Sequence, residues 1–410
     1  MTGMESRKIV VIGGGPAGVF AAIEAKRTAP DADVVLLTDE PCEPYEKPPL
    51  SKAVLTGKAL PEHALIAGPG GTAKHNVVLE QIAHCTAIDR ASRAVVTASG
   101  KRFPYDALVL ATGSLLRELP QLPPGMPRVH YLRTEKDARA LADALRRTKH
   151  LVVVGGGLIG LEVAASATEL GVKTTVLEVA PRILARVCDE EIGAFITQEH
   201  LRHGVDLRTG VAIASVKAGD DAIAITLASG ETLSADLVVV GTGVVPNDKL
   251  AADAGLATDG GIVVDAQCRT ADPAIFAAGD VVRLPGPHGL VRLENWRHAQ
   301  DQGAVAGRNA AGASESYRTV PSFWSEQYDL YIQGIGWPSP QPGERVRRPL
   351  SGNSRLVFET ANGMLTGALG INAQRELAAA RRLIERRVPV DAAALADPSR
   401  PLASLLKATA

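Results

Sequence analysis

KIVVIGGGPAGVFAAIEAKRTAPDADVVLLTDE at residues 8–40 and HLVVVGGGLIGLEVAASATELGVKTTVLE at residues 150–178 are one device written twice, and that duplication decides the architecture. Each copy opens with a run of β-branched residues suited to a buried parallel strand. A glycine turn follows, then a small-residue, alanine-rich stretch that suits a helix packed closely on the strand, then a second strand. Gly13, Gly15 and Gly18 in the first copy, and Gly155, Gly157 and Gly160 in the second, have the spacing G-x-G-x-x-G. The first glycine makes the tight turn, the second lets backbone approach a pyrophosphate, and the third lets helix and strand close together, with the anion at the positive helix end. One such motif is a weak signal. Two in one chain imply two dinucleotides bound near one another, as a flavin and a nicotinamide have to be.

The residue closing the second strand of each unit carries specificity, because an acid there accepts hydrogen bonds from ribose hydroxyls and repels a 2′-phosphate. Glu178 ends the second unit, which favours NADH over NADPH, although Arg182 lies four residues on, where it could receive a phosphate. In the first unit Asp39 is the expected partner of the adenosine ribose of FAD. Each unit is followed by a segment that reads as paired strands returning to a core strand, ending at Gly113 in one case and Gly243 in the other. The IFAAGDV segment has no counterpart in the second unit, so the chain is expected to return there to the first domain. The expected fold is α/β: an FAD-binding domain of residues 1–113 and 242–322, an NAD-binding domain of 114–241, and a small α+β domain of 323–410 with a helix at RELAAARRLIERR.

The 410 residues carry 44 basic and 45 acidic side chains, a net charge of −1. That balance leaves no global field for a phosphate backbone, so nucleic acid is not an expected partner and recognition of a small acidic protein has to be local. Cys42, Cys85, Cys188 and Cys268 fall in no CxxC pattern and have no histidine at ligand spacing, so neither a metal nor an iron–sulfur cluster is expected within the chain. Reduced thiols, the absence of a leader pattern in MTGMESRKIVVIGGG and the absence of any run near 18 apolar residues point to a cytoplasmic protein with no membrane span. The histidines other than His130 and His150 are expected mostly at the surface or in caps.

The paired cradles, together with ATG at Ala111–Gly113, GTG at Gly241–Gly243 and AAGD at Ala277–Asp280, resemble the flavoprotein disulfide reductase superfamily, whose fold is glutathione-reductase-like. Four further stretches, PYEKPPLSK (44–52), YLRT (131–134), ENWRHAQDQG (294–303) and FWSEQYD (323–329), resemble the FAD-dependent pyridine-nucleotide ferredoxin reductases of bacterial oxygenase systems. The likeness spans nearly the whole chain. Disulfide reductases of the superfamily place a cysteine pair beside the flavin, where this chain has PYEKPPLSK. Cys42 lies outside that place and reads as an ordinary thiol. Electrons are expected to leave by another route; a flavin can accept a hydride and release two single electrons, which is what the iron–sulfur partner implied by the resemblance requires.

The resemblance also implies residue roles. Lys52 sits near flavin N5, where a cation stabilises the reduced ring; Glu162 faces the nicotinamide carboxamide and pairs with Lys52. Ala17, the Cys85 backbone, Thr112 and Gly113, Arg133, Asp280 and Trp296 contact FAD. Trp324 stands beside the flavin on the side a partner approaches. Lys47 replaces an arginine common in the family, which keeps the cation but loses the bidentate fork. The expected activity is NADH-dependent reduction of a small [2Fe-2S] ferredoxin that feeds a P450 or Rieske oxygenase, by a monomer or weak homodimer. An NADH oxidase or quinone reductase, and a flavoprotein sensor, are the alternatives.

Overall fold

Strand Lys8–Ile12 is the centre of a parallel five-stranded sheet, flanked on one side by Asp33–Leu37 and Val78–Glu80 and on the other by Ala107–Leu110 and Ile275–Ala277. Strand His150–Val154 has the same place in a second parallel sheet, between Lys173–Glu178 and Asp206–Thr209 on one side and Leu237–Val240 and Val129–Tyr131 on the other. The computed structural model describes residues 6–337 and 343–406. Residues 1–5, on which part of the leader argument rests, and the 338–342 and 407–410 portions of the expected third domain lie outside these. Four strands follow one order in the two sheets; the fifth, outermost strand is Ile275–Ala277, from far along the chain, in the first sheet and Val129–Tyr131, just ahead of the glycine unit, in the second. The central strands are buried on both faces, with Ile9, Val11, Leu151 and Val153 all at 0% exposure, as parallel sheets covered by helices require.

A three-stranded antiparallel ribbon leans on each sheet: Cys85–Asp89, Ala94–Thr97 and Arg102–Pro104 on the first, Ile213–Ala218, Ile223–Leu227 and Thr232–Ala235 on the second. Where the chain leaves the first sheet and where it comes back, Ser114–Leu116 and Val244–Pro246 pair antiparallel, so the two crossings form one short tether. Strands Ser322–Gln327, Leu330–Gly336, Glu344–Arg347, Arg355–Ala361 and Met364–Ile371 form an antiparallel sheet backed by helix Gln374–Glu385. The α/β class with two Rossmann-like units and a small α+β unit is thus the fold observed. No helix among the described residues is long and apolar enough to cross a membrane.

Small residues set the closest approach in the first unit. Helix Trp296–Ala310 lies against helix Pro16–Thr28 so closely that a Cβ on Gly303 would fall 2.1 Å from the Ala17 carbonyl oxygen, and one on Gly307 2.0 Å from that of Ala21. At the start of the long helix, Trp296 lies edge-on to Phe20 of the first helix.

Two histidines depart from the expected surface positions. His200 is fully buried between Gln327 and Tyr328, and His298 is 1% exposed beside Tyr317. Burial drives their pKa values down, to about 4 and about 3, because a charged ring has no solvent there. The folded protein refuses a proton that the unfolded chain accepts, so stability is complete above pH 6.5 and falls as pH drops below it. Each ring is expected to remove about 2 kcal/mol by pH 5. Urea unfolding midpoints at pH 7.5 and 5 check this: His200→Gln should narrow the difference, and equal differences in variant and wild type would refute it.

Candidate functional site

Both glycine turns have the geometry of anion cradles. Gly13 and Gly155 have φ of +119° and +113°, and a Cβ on either would lie 2.1 and 2.5 Å from the backbone oxygens of Ala111 and Gly241. Gly18 and Gly160 press on the carbonyls of Gly13 and Gly155, at 1.8 and 2.1 Å from a hypothetical Cβ. Gly15 and Gly157, by contrast, face open space. Helices Glu135–Leu145, Glu190–Arg202 and Trp296–Ala310 are closed at their N-termini by the side chains of Thr134, Asp189 and Asn295, whereas the helices that follow Gly15 and Gly157 have no side-chain cap. Their first-turn N–H groups are left for an anionic group at the dipole's positive end. The residues present therefore fit two dinucleotide pyrophosphates.

Strand register sets Asp39 and Glu178 at different positions of their units. Leu37 and Leu177 each accept from the first glycine N–H of their unit, so the counterpart of Glu178 is Thr38, and Asp39 is one residue further on. Glu178 curls over the cradle: Oε2 accepts from Gly156 N at 2.6 Å and Oε1 from Ala180 N at 2.8 Å. Asp39 is exposed and lies 3.3 Å from His84 Nδ1. The Arg182 guanidinium is spent on the carbonyls of Ala185, Asp189 and Ile183, at 3.1, 3.4 and 3.5 Å, which ties the loop after Glu178 to the cap of the next helix.

Around the first cradle, Gly279 (φ +84°) donates its N–H to Gln302 Oε1 at 2.8 Å and abuts Ala17. Asp280 follows it. Ser114 Oγ lies 3.4 Å from Asp280 Oδ2 and accepts from Arg133 Nη2 at 3.1 Å, and burial raises the Asp280 carboxyl pKa against the pull of Arg133. Thr112 Oγ1 donates to the Asn247 carbonyl at 2.7 Å across the tether, and Gly113 has φ +67°. Lys47 donates to Glu40 Oε1 at 2.8 Å and to the Arg133 carbonyl at 3.3 Å, and its burial lowers its pKa. The substituted position thus still joins the 40–47 segment to residue 133. Cys85 bonds its thiol to the Ala83 carbonyl, and burial pushes its pKa up to about 12. Cys42 is likewise raised, to about 11, mainly by burial, and all four cysteines are unpaired.

The two units meet at Lys52 and Glu162. Segment Pro48–Ser51 docks on helix Leu158–Glu169, where Ser166 Oγ donates to the Ser51 carbonyl at 2.8 Å. Lys52 Nζ lies 3.2 Å from Glu162 Oε1, and Glu162 is 3% exposed. Ser51 Oγ donates to Glu162 Oε2 in a short hydrogen bond, and Ser325 Oγ donates to Oε1 at 2.6 Å. A buried ion pair needs such additional donors to offset its desolvation. Beside it, Trp296 contacts Phe20 and Trp324 edge-on, both with ring centroids 6.3 Å apart, and the buried Trp296 Nε1 has no partner. Ser51, Ser114, Ser325 and Gln327 were missed by sequence reasoning. The strand pattern of FWSEQ places Ser325 and Gln327 together on the face opposite Trp324, a signal that was available. No group of three metal-ligating side chains occurs among the described residues.

Fold and site together define a protein built on two dinucleotide cradles with a lysine–glutamate pair where they meet. The family model for pyridine nucleotide-disulphide oxidoreductases matches residues 7–303 and that for the reductase C-terminal domain matches 322–406. The chain is a member of the pyridine nucleotide-disulphide oxidoreductase family. It is 37% identical to rhodocoxin reductase of Rhodococcus erythropolis over 95% of this chain and 92% of that one. It is 36% identical to the ferredoxin–NAD(+) reductase component of the p-cumate 2,3-dioxygenase system of Pseudomonas putida, over 98% of each. Among solved structures, the covalent putidaredoxin reductase–putidaredoxin complex superposes with a TM-score of 0.93 at 33% identity, covering 98% of both chains. A ferredoxin reductase from Rhodopseudomonas palustris superposes with a TM-score of 0.91 at 33% identity, over 99% of this chain and all of that one.

Proposed function

We propose that this protein is an NADH-dependent ferredoxin reductase that takes a hydride from NADH and delivers single electrons to a small [2Fe-2S] protein of an oxygenase system. The observation that carries this reading is the Lys52–Glu162 pair between two uncapped glycine cradles, in a chain with no cysteine pair at the 44–52 segment. Relatives named ferredoxin–NAD(+) reductase components support the acceptor. The domain assignment that goes with it is residues 1–113 and 242–322 for FAD, 114–241 for NAD and 323–410 for the interface unit, in a cytoplasmic protein acting as a monomer or weak dimer.

Bound FAD supplies the conversion between a two-electron donor and a one-electron acceptor. The first cradle, with Ala17, receives its pyrophosphate; Asp39 serves its adenosine ribose, and Asp280, steadied by Ser114 and Arg133, its ribitol chain. Thr112, Gly113 and the Cys85 backbone line the same groove, and Trp296 borders the ring. The second cradle receives the NADH pyrophosphate, with Glu178 at the ribose. Lys52 brings a fixed cation to the hydride-accepting end, Glu162 orients it and meets the carboxamide, and Trp324 shields the side open to the protein partner.

Glu178 tests the donor side. Glu178 at the ribose would repel a 2′-phosphate, and Arg182 is held by backbone carbonyls, so wild type should prefer NADH. Glu178→Ala is expected to lower kcat/KM for NADH about tenfold and to narrow the NADH/NADPH ratio; steady-state kinetics with both nucleotides decide, and a wild-type preference for NADPH would refute the assignment. The acceptor side is tested by reduction of cytochrome c with and without an added [2Fe-2S] ferredoxin. Rates that ignore the ferredoxin, with oxygen or quinone consumed instead, would favour an oxidase.

A further inference from the structure

Behind Glu162 the hydrogen bonds continue through four more side chains, and all run in one direction. The Tyr328 hydroxyl lies 3.1 Å from His200 Nδ1, His200 Nε2 lies 2.9 Å from Gln327 Oε1, and Gln327 Nε2 lies 3.1 Å from Ser325 Oγ, which reaches Glu162 Oε1 at 2.6 Å. The polarity follows from chemistry. A carboxylate only accepts, so the Ser325 proton goes to Glu162 and its oxygen must accept from the Gln327 amide nitrogen. Gln327 then turns its oxygen to His200, whose proton is on Nε2, and Nδ1 is left to accept from Tyr328. His200 and Ser325 are at 0% exposure and Gln327 at 1%, so these groups depend on one another, not on bulk solvent, for their hydrogen bonds. His203 stacks on the Tyr328 ring, 3.7 Å between centroids and 7° between planes, and fixes the outer end.

We propose that Ser325, Gln327, His200 and Tyr328 are positioning residues for hydride transfer, acting through Glu162. A serine hydroxyl alone can turn among three rotamers; the amide of Gln327 occupies its lone pair and His200 occupies the amide, so the hydroxyl points at Glu162 in one orientation. Glu162 Oε1 is shared between Ser325 and Lys52, and turning the carboxylate would draw Lys52 away from its place. The chain links the helix Glu190–Arg202 of the second unit and strand Ser322–Gln327 of the third to the segment 48–52 of the first, so the pair is held by all three. This role rests on the reading of Lys52 and Glu162 as the meeting point of nicotinamide and flavin.

The test compares FAD-loaded wild type with His200→Leu, Gln327→Leu, their double variant and His200→Gln, whose amide can still donate to Gln327. Anaerobic stopped-flow should give a flavin-reduction rate constant about tenfold lower in each leucine variant, with the NADH dissociation constant changed less than twofold. The double variant should be no slower than the slower single one, since both act on one carboxylate, and His200→Gln should recover to within about threefold of wild type. Nitrogen-15 NMR of the full-length protein gives a readout independent of turnover: His200 should be a neutral Nε2–H tautomer at pH 7. Unchanged rates in the leucine variants, equal slowing by His200→Gln and His200→Leu, or an Nδ1–H or cationic His200 would overturn the proposal. A wild type that NADH does not reduce would instead overturn the functional reading, and this role with it, while the tautomer stayed as found.

Discussion

Gly160→Val is expected to leave FAD bound and to remove reduction by NADH, with the NADH dissociation constant raised about a hundredfold or more, roughly 3 kcal/mol of binding. The reason is local. Even the first side-chain carbon would fall 2.1 Å from the Gly155 carbonyl oxygen, so the helix must move off the turn whose N–H groups hold the pyrophosphate. The first unit has its own glycines and its own sheet, so flavin content, read from the visible spectrum of the purified variant, should match wild type. Loss of FAD together with NADH binding would mean that the two cradles do not act as separate sites.

Lys52→Met is expected to slow flavin reduction about a hundredfold with little effect on NADH affinity, because the cation acts on charge that develops during transfer. The substitution also leaves the Glu162 carboxylate, 3% exposed, facing a methionine. Breaking one side of a buried pair costs roughly 3–5 kcal/mol, so the variant should also unfold at lower temperature. The double variant Lys52→Met/Glu162→Gln separates the two effects: stability should return while the rate stays low. A Lys52→Met rate within threefold of wild type would remove Lys52 from the reaction.

Much of this was legible in the sequence because the phosphate cradle is a local structure. A G-x-G-x-x-G turn between strand and helix needs nothing from elsewhere in the chain, and finding it twice fixed the α/β class. The polar network was harder to read because its members are brought together by tertiary packing. Ser51 and Ser325 reach the same carboxylate from segments 274 residues apart, and His200 belongs to an amphipathic helix where its spacing resembles that of any half-buried residue. Tryptophan dominates the reading of FWSEQYD, although the alternation of the strand places Ser325 and Gln327 on the buried face. The offset between Asp39 and Glu178 was hidden for a related reason: each is an acid near the end of its unit's second strand, and only the paired register reveals that they are one residue out of step.

Single-electron delivery to an iron–sulfur partner is the central claim, and anaerobic titration tests it most directly. Protein reduced by one equivalent of NADH, mixed with excess oxidised [2Fe-2S] ferredoxin, should convert two ferredoxins per FAD to the reduced form within the turnover time. If no ferredoxin is reduced while oxygen or a quinone reoxidises the same sample at once, the account is contradicted.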